Sequence, residues 1–134
     1  MAQKIQITTK SYRDLDLNFI PNPVTGDVAI RTGDNAVIAS VKNLIFTNFY
    51  ERPFHSEIGS GVRRLLFDNA DVLTAENLKK TISTVLDNFE PRVSIKNLTV
   101  KLSTDLNKFQ VILEFFILNN TKPTNISFFL ERVR

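Results

Sequence analysis

Between Phe89 and Val93 the hydrophobic period of the chain changes, and a proline stands at the change. Upstream, Leu78, Ile82, Val85, Leu86 and Phe89 recur every three or four residues, the spacing that lines one face of a helix. Downstream, Val93 and Ile95 open an alternation of period two, the spacing of a strand with one buried face. Pro91 cannot continue a helix, and its ring drives Glu90 out of the helical region. Glu90 and Arg92 flank this rigid residue. That holds a carboxylate and a guanidinium in a nearly fixed relation, suited to charge-paired recognition of a partner. The plain alternative is a helix stop with a solvated charge on each side.

The rest of the chain sorts around that point. Residues 1–33 read as an extended arm with turn signals at Pro21-Asn22-Pro23, Thr25-Gly26-Asp27 and Gly33-Asp34, and a short strand at Val28 to Arg31. Asp34 is a good N-cap for a helix over about 35–50, whose stripe is Val37, Val41, Leu44, Ile45 and Phe49. Glu51 to Gly61 is a loop, followed by a short helix with Val62, Leu65, Leu66 and Phe67 inward. Thr74 is the expected cap of a longer helix over about 75–89. Phe54, Phe67 and Phe89 are expected in the core.

The last third is strand. Val93 and Ile95 occupy one parity, and Leu98, Val100 and Leu102 the other, which predicts a bulge near Asn97. Thr104 to Asn107 is the hairpin turn. Phe109, Val111, Leu113, Phe115 and Ile117 line one face of the next strand; Gln110, Ile112, Glu114, Phe116 and Leu118 line the other. That second face is half apolar, so part of it should be covered. Asn125 to Arg134 alternates Ile126, Phe128 and Leu130 against Ser127, Phe129 and Glu131. The expectation is one α+β domain over 1–134: an N-terminal extended arm (1–33), two main helices plus a short helix (34–90), and a C-terminal three-stranded antiparallel sheet (93–134). Its outer strands offer unpaired backbone groups to strands of other chains.

Composition narrows the function. With 134 residues and 43% hydrophobic content the chain can bury a real core. No cysteine is present, so there is neither a disulfide framework nor thiolate chemistry. The net charge of +3 comes from basic residues interleaved with acids, which gives no case for nucleic acid. No apolar run has the length of a signal peptide or a membrane span. The single histidine, His55, has no evident catalytic partner. Glu51, Glu57 and Glu90 have arginines beside or near them, which favours the ionised form and disfavours a general acid. Asp14 and Asp16 read as solvated acids on the arm. Gly59-Ser60-Gly61 lacks the lysine of a phosphate loop. No catalytic, cofactor-binding or metal-ligating set emerges.

Several segments, in order, resemble a known family. They are Tyr12-Arg13-Asp14-Leu15-Asp16, Asn22-Pro23-Val24-Thr25-Gly26-Asp27-Val28, Ser40-Val41-Lys42-Asn43-Leu44-Ile45 and Glu51-Arg52-Pro53-Phe54. Gly59-Ser60-Gly61-Val62-Arg63-Arg64-Leu65-Leu66-Phe67 and Phe89-Glu90-Pro91-Arg92-Val93 follow. Together they are similar to the baseplate wedge proteins of contractile-tailed bacteriophages, with relatives in type VI secretion baseplates; the Glu-Pro-Arg tripeptide is that family's signature. The resemblance implies a structural virion component of the tail baseplate, assembled in the host bacterial cytoplasm, with no cofactor. It implies other wedge proteins, the tail sheath protein and the region of the tail tube as partners, and no nucleic acid or membrane. Glu90, Pro91 and Arg92 would dock against the wedge. The C-terminal sheet, through Ile126, Phe128 and Phe129, would accept sheath strands and start sheath assembly. The competing expectations are a lysozyme-type peptidoglycan hydrolase and a generic α+β binding module.

Overall fold

A computed structural model of the chain describes residues 12–103, 107–118 and 120–132. Most of the expected Thr104–Asn107 turn therefore lies outside the described residues. The chain divides into two compact units, 1–37 and 38–134.

In the first unit β1 (Arg13–Leu15) and β2 (Ile30–Thr32) pair antiparallel, with Asp14 opposite Arg31. The described part of the expected arm is thus a hairpin, and its second strand starts two residues later and ends one residue later than the reading of Val28 to Arg31. The Arg31 guanidinium meets the Asp16 carboxylate at 3.2 Å. Between the strands, Asn22 Oδ1 accepts from the Val24 N–H, and the Gly26 N–H donates to the Asn22 carbonyl at 2.8 Å. Gly26 has a φ of +70°, which a side chain would strain.

Helix α1 spans Asp34–Phe46, with Asp34 its first helical residue rather than the cap before it. Within the second unit it buries Val41, Leu44 and Ile45. It ends four residues short of the expected 50, and Phe49 lies outside it, 45% exposed. The reason is tertiary. The Ser60 N–H donates to the Thr47 carbonyl, forming a bridge of Asn48 with Ser60, and the Asn48 N–H turns to the Glu51 carboxylate at 2.9 Å. Gly59 packs so closely here that a Cβ would lie 2.7 Å from the Asn48 carbonyl carbon.

Helix α2 (Val62–Leu65) follows, with Val62 buried and Leu66 buried just beyond it. Phe67, expected inward, is exposed, because the chain leaves the helix at Leu66. Helix α3 (Val72–Phe89) starts three residues before the expected position. Asp71 is its cap and accepts from the Thr74 N–H at 2.7 Å, while the Thr74 hydroxyl donates to the Asn69 carbonyl. Its inward stripe is Leu78, Ile82, Val85 and Leu86, with Phe89 only half-buried.

The C-terminal sheet has the order β3-β4-β5, all antiparallel: β3 (Val93–Ser103), β4 (Lys108–Ile117) and β5 (Thr124–Glu131). The register of β3 slips between Ile95 and Asn97, the bulge that the parity change predicts. Phe109, Val111, Leu113, Phe115 and Ile117 are all buried and form the centre of the core with Leu98, Ile126 and Leu130. The opposite face of β4 is half-buried in part because Lys96 lies over it. The Lys96 ammonium bonds Glu114 at 3.0 Å and sits 5.8 Å from the Phe116 ring centre, so its stem covers apolar surface. The α+β class and the three-stranded meander stand as the sequence predicts.

Candidate partner-binding site

Glu90 is the C-cap of α3, with φ −124° and ψ 81°, and its N–H donates to the Leu86 carbonyl. That extended conformation is the one a following proline imposes. It turns the side chain inward, where the residue is 3% exposed. Arg92 returns over it. The Arg92 Nε donates to Glu90 Oε1 at 2.7 Å and its Nη2 to Oε2 at 3.0 Å, a two-pronged fork. From α1, the Ser40 hydroxyl donates to Oε2 at 2.6 Å. Burial pushes the Glu90 carboxyl up, but the bonds from Arg92 and Ser40 and the guanidinium charge outweigh it, and the net shift is downward. The buried carboxylate therefore stays ionised near neutral pH.

Pro91 is exposed at the corner, and the Arg92 carbonyl accepts from the Leu118 N–H at 2.8 Å, tying the turn to the end of β4. The fork thus joins three elements: α1 through Ser40, the α3 end through Glu90 and the β3 start through Arg92. What this corner presents outward is the Pro91 ring and the partly exposed side of Arg92; Glu90 acts from inside.

The other sequence-predicted residues lie on β5. Ile126 is buried opposite Leu113. Phe128 is half-buried and packs at a tilt against Phe46, ring centres 5.6 Å apart. Phe129 points to the opposite face and is 56% exposed. Pro91 and Arg92 adjoin β3 and Phe129 belongs to β5, with β4 between these strands. The structure therefore forms two surfaces from these residues, not one.

The backbone of β5 carries a feature that the residue pattern does not show. The Arg132 N–H donates to the Asn107 carbonyl at 3.1 Å, which makes these opposed residues a hydrogen-bonded pair. Such pairs alternate along an antiparallel ladder. The continuous β4–β5 register then aims the N–H and C=O groups of Asn125, Ser127, Phe129 and Glu131 away from β4. Among the described residues no hydrogen bond to these N–H groups closes that edge. The β3 edge differs, because its bulge interrupts the ladder.

Sequence reasoning missed Ser40 as the partner of Glu90. It also missed a groove of about 360 Å³ between α1, α2 and β5, lined among others by Ile45, Phe46, Leu66 and Leu130. Phe54, expected in the core, is fully exposed. His55 and Glu57 meet at 3.3 Å on the surface. No group of acids and histidine able to hold a metal occurs among the described residues.

The profile of the family described as "Baseplate wedge protein gp25" matches residues 31–121, which includes the Glu90 fork. The protein of that name from Enterobacteria phage T4 is 29% identical over 96 residues, covering 70% of this chain and 71% of its own. Three solved structures share the fold. A chain of the anti-feeding prophage baseplate aligns with a TM-score of 0.73, 20% identity, and 83% and 89% coverage of the two chains. A chain of the postcontracted pyocin R2 baseplate gives 0.62, 18% identity, and 79% and 98% coverage. A Geobacter sulfurreducens protein described as a tail lysozyme gives 0.67, 15% identity, and 73% and 89% coverage. With the family profile spanning well over half of the chain, this protein belongs to the baseplate wedge protein gp25 family.

Proposed function

We propose that this protein is a structural wedge component of a contractile-tail baseplate that starts sheath assembly by accepting a strand at β5. The carrying observation is the regular β5 edge, whose outward backbone groups at Asn125, Ser127, Phe129 and Glu131 match the needs of an added strand. The corner at Pro91 and Arg92 is the anchor to other wedge proteins, made rigid by the fork to Glu90. The setting is a virion assembled in the bacterial cytoplasm, with the tail tube close by.

A hydrolase reading, the competing expectation from the sequence, finds support in the Geobacter sulfurreducens structure described as a tail lysozyme. A lysozyme-type acid needs a carboxyl held protonated by its surroundings. Glu90, the buried carboxylate among the described residues, is instead held below the ordinary carboxylate range by Arg92 and Ser40. Glu57 is on the surface and is also shifted down, by a backbone hydrogen bond and by His55. Neither suits proton donation near neutral pH.

The test is Ser127→Pro. At this position the N–H points away from β4, so proline removes an edge donor while leaving the β4–β5 ladder intact. Co-purification with the sheath and wedge proteins encoded beside this chain should lose the sheath protein and retain the wedge proteins. Undiminished sheath capture by a folded Ser127→Pro chain would refute strand addition at β5.

A further inference from the structure

We infer that the β5 edge selects its incoming strand by side chain, taking a large apolar residue and, two positions along, an acidic one. The inference rests on the strand-addition reading and adds the chemistry of the occupant.

A strand laid beside β5 sends alternate side chains to the helix side of the sheet. There it meets the groove of about 360 Å³, whose apolar wall is Ile45, Phe46, Val62, Leu66 and Leu130. Phe46, in that wall, is 54% exposed, so part of the groove is apolar surface that a bare chain leaves wet. Covering it with a Leu-sized side chain removes that surface from water.

The same groove carries one charge of unmatched sign. Arg63, on α2, lines it and is exposed, and among the described residues it makes no ion pair. The acid in the same lining, Glu131, is paired with Lys108 at 2.7 Å. An entering segment is therefore met by a net positive wall. Side chains on one face of a strand are two residues apart, so the acid that reaches Arg63 is separated from the apolar anchor by one outward residue. The occupant that fits is an extended partner segment with the pattern apolar-x-acidic, or its reverse when the strand runs the other way. A basic residue at the second position would face Arg63 across the groove.

The test uses the full chain and short Thr-rich extended peptides containing Leu-Thr-Glu, Leu-Thr-Lys or Thr-Thr-Glu. Binding is read by titration, and the edge by slowed amide exchange at Asn125, Ser127, Phe129 and Glu131. The Leu-Thr-Glu peptide should bind at least about three-fold more tightly than Leu-Thr-Lys, and about ten-fold more tightly than Thr-Thr-Glu. Arg63→Glu, a change on an exposed helix position, should invert the preference between Glu and Lys peptides. Equal edge protection by all three peptides would keep strand addition and overturn the selection proposed here. Protection by none would overturn both. An unaltered Glu preference in Arg63→Glu would remove Arg63 from the account.

Discussion

Arg92 decides what kind of group Glu90 is. A carboxylate at 3% exposure is costly unless its oxygens are matched, and here both are: Oε1 by the Arg92 Nε, Oε2 by Arg92 Nη2 and Ser40. Arg92→Ala would leave the buried charge with the Ser40 hydroxyl as its remaining side-chain donor. We expect a loss of about 2–4 kcal/mol in urea unfolding, within the margin of a domain this size, so the chain stays folded. Ser40→Ala removes one bond to a charged group and should cost about 1–2 kcal/mol. The pH response has a definite sign. The Glu90 carboxyl titrates lower in the folded chain than in the unfolded one, so its contribution is complete above the unfolded value of about 4.3 and is lost as pH falls through the depressed folded value. In Arg92→Ala burial is opposed by Ser40 without the guanidinium, so the folded value rises toward the unfolded one or past it, and the Glu90 share of the stability lost in acid should shrink or reverse. An unchanged acid limb in that variant would show that the fork is not what holds Glu90 ionised. The sequence displayed the Glu90-Pro91-Arg92 juxtaposition and its rigid centre. It could not display the inward turn of Glu90, because Ser40 stands fifty residues away and only packing of α1 on the α3 end brings the hydroxyl there.

Among the elements, legibility followed how local the cause is. The β3 bulge was readable because a slipped register moves side chains between faces, and the change from Ile95 to Leu98 records it. The start of α3 was ambiguous for a local reason: Asp71 and Thr74 are both capping residues, and in the structure the Asp71 carboxylate takes the Thr74 N–H while the Thr74 hydroxyl, inside the first turn, donates back to the Asn69 carbonyl. Asp71→Ala should fray the first turn of α3, seen as faster amide exchange at Thr74 and Ala75 with the rest of the helix unchanged. The end of α1 was not readable at all. Its apolar stripe runs on to Phe49, but the chain returning through Gly59 and Ser60 captures the backbone at Thr47 and Asn48. Gly59→Ala places a Cβ 2.7 Å from Asn48 backbone atoms, which cannot rotate away as a side-chain tip can. The expected cost is about 1–3 kcal/mol, by thermal or urea unfolding. A neutral result would mean that the loop has slack that its packing does not suggest.

At the scale of the molecule, the two candidate surfaces are served by different strands. Pro91 and Arg92 lead into β3, whose edge is interrupted by a bulge, whereas β5 has an uninterrupted ladder and outward backbone groups. The two proposed roles, holding wedge neighbours and receiving a sheath strand, are compatible with this separation, since one surface can be filled without covering the other. The prediction concerns coupling. Arg92→Ala should weaken recovery with wedge proteins and leave sheath-strand capture intact, and Ser127→Pro should do the reverse. The fork adjoins β3 and the edge belongs to β5, with β4 between them, so the effects of the double variant should be the sum of the single ones in free energy, within about 0.5 kcal/mol. Pairwise titrations of wild type, both single variants and the double variant measure that sum. A coupling energy well above it would mean that the fork and the β5 edge respond to each other through β4. Wedge docking would then prepare the edge for the sheath, and independent sites would have to be abandoned as the description of this subunit.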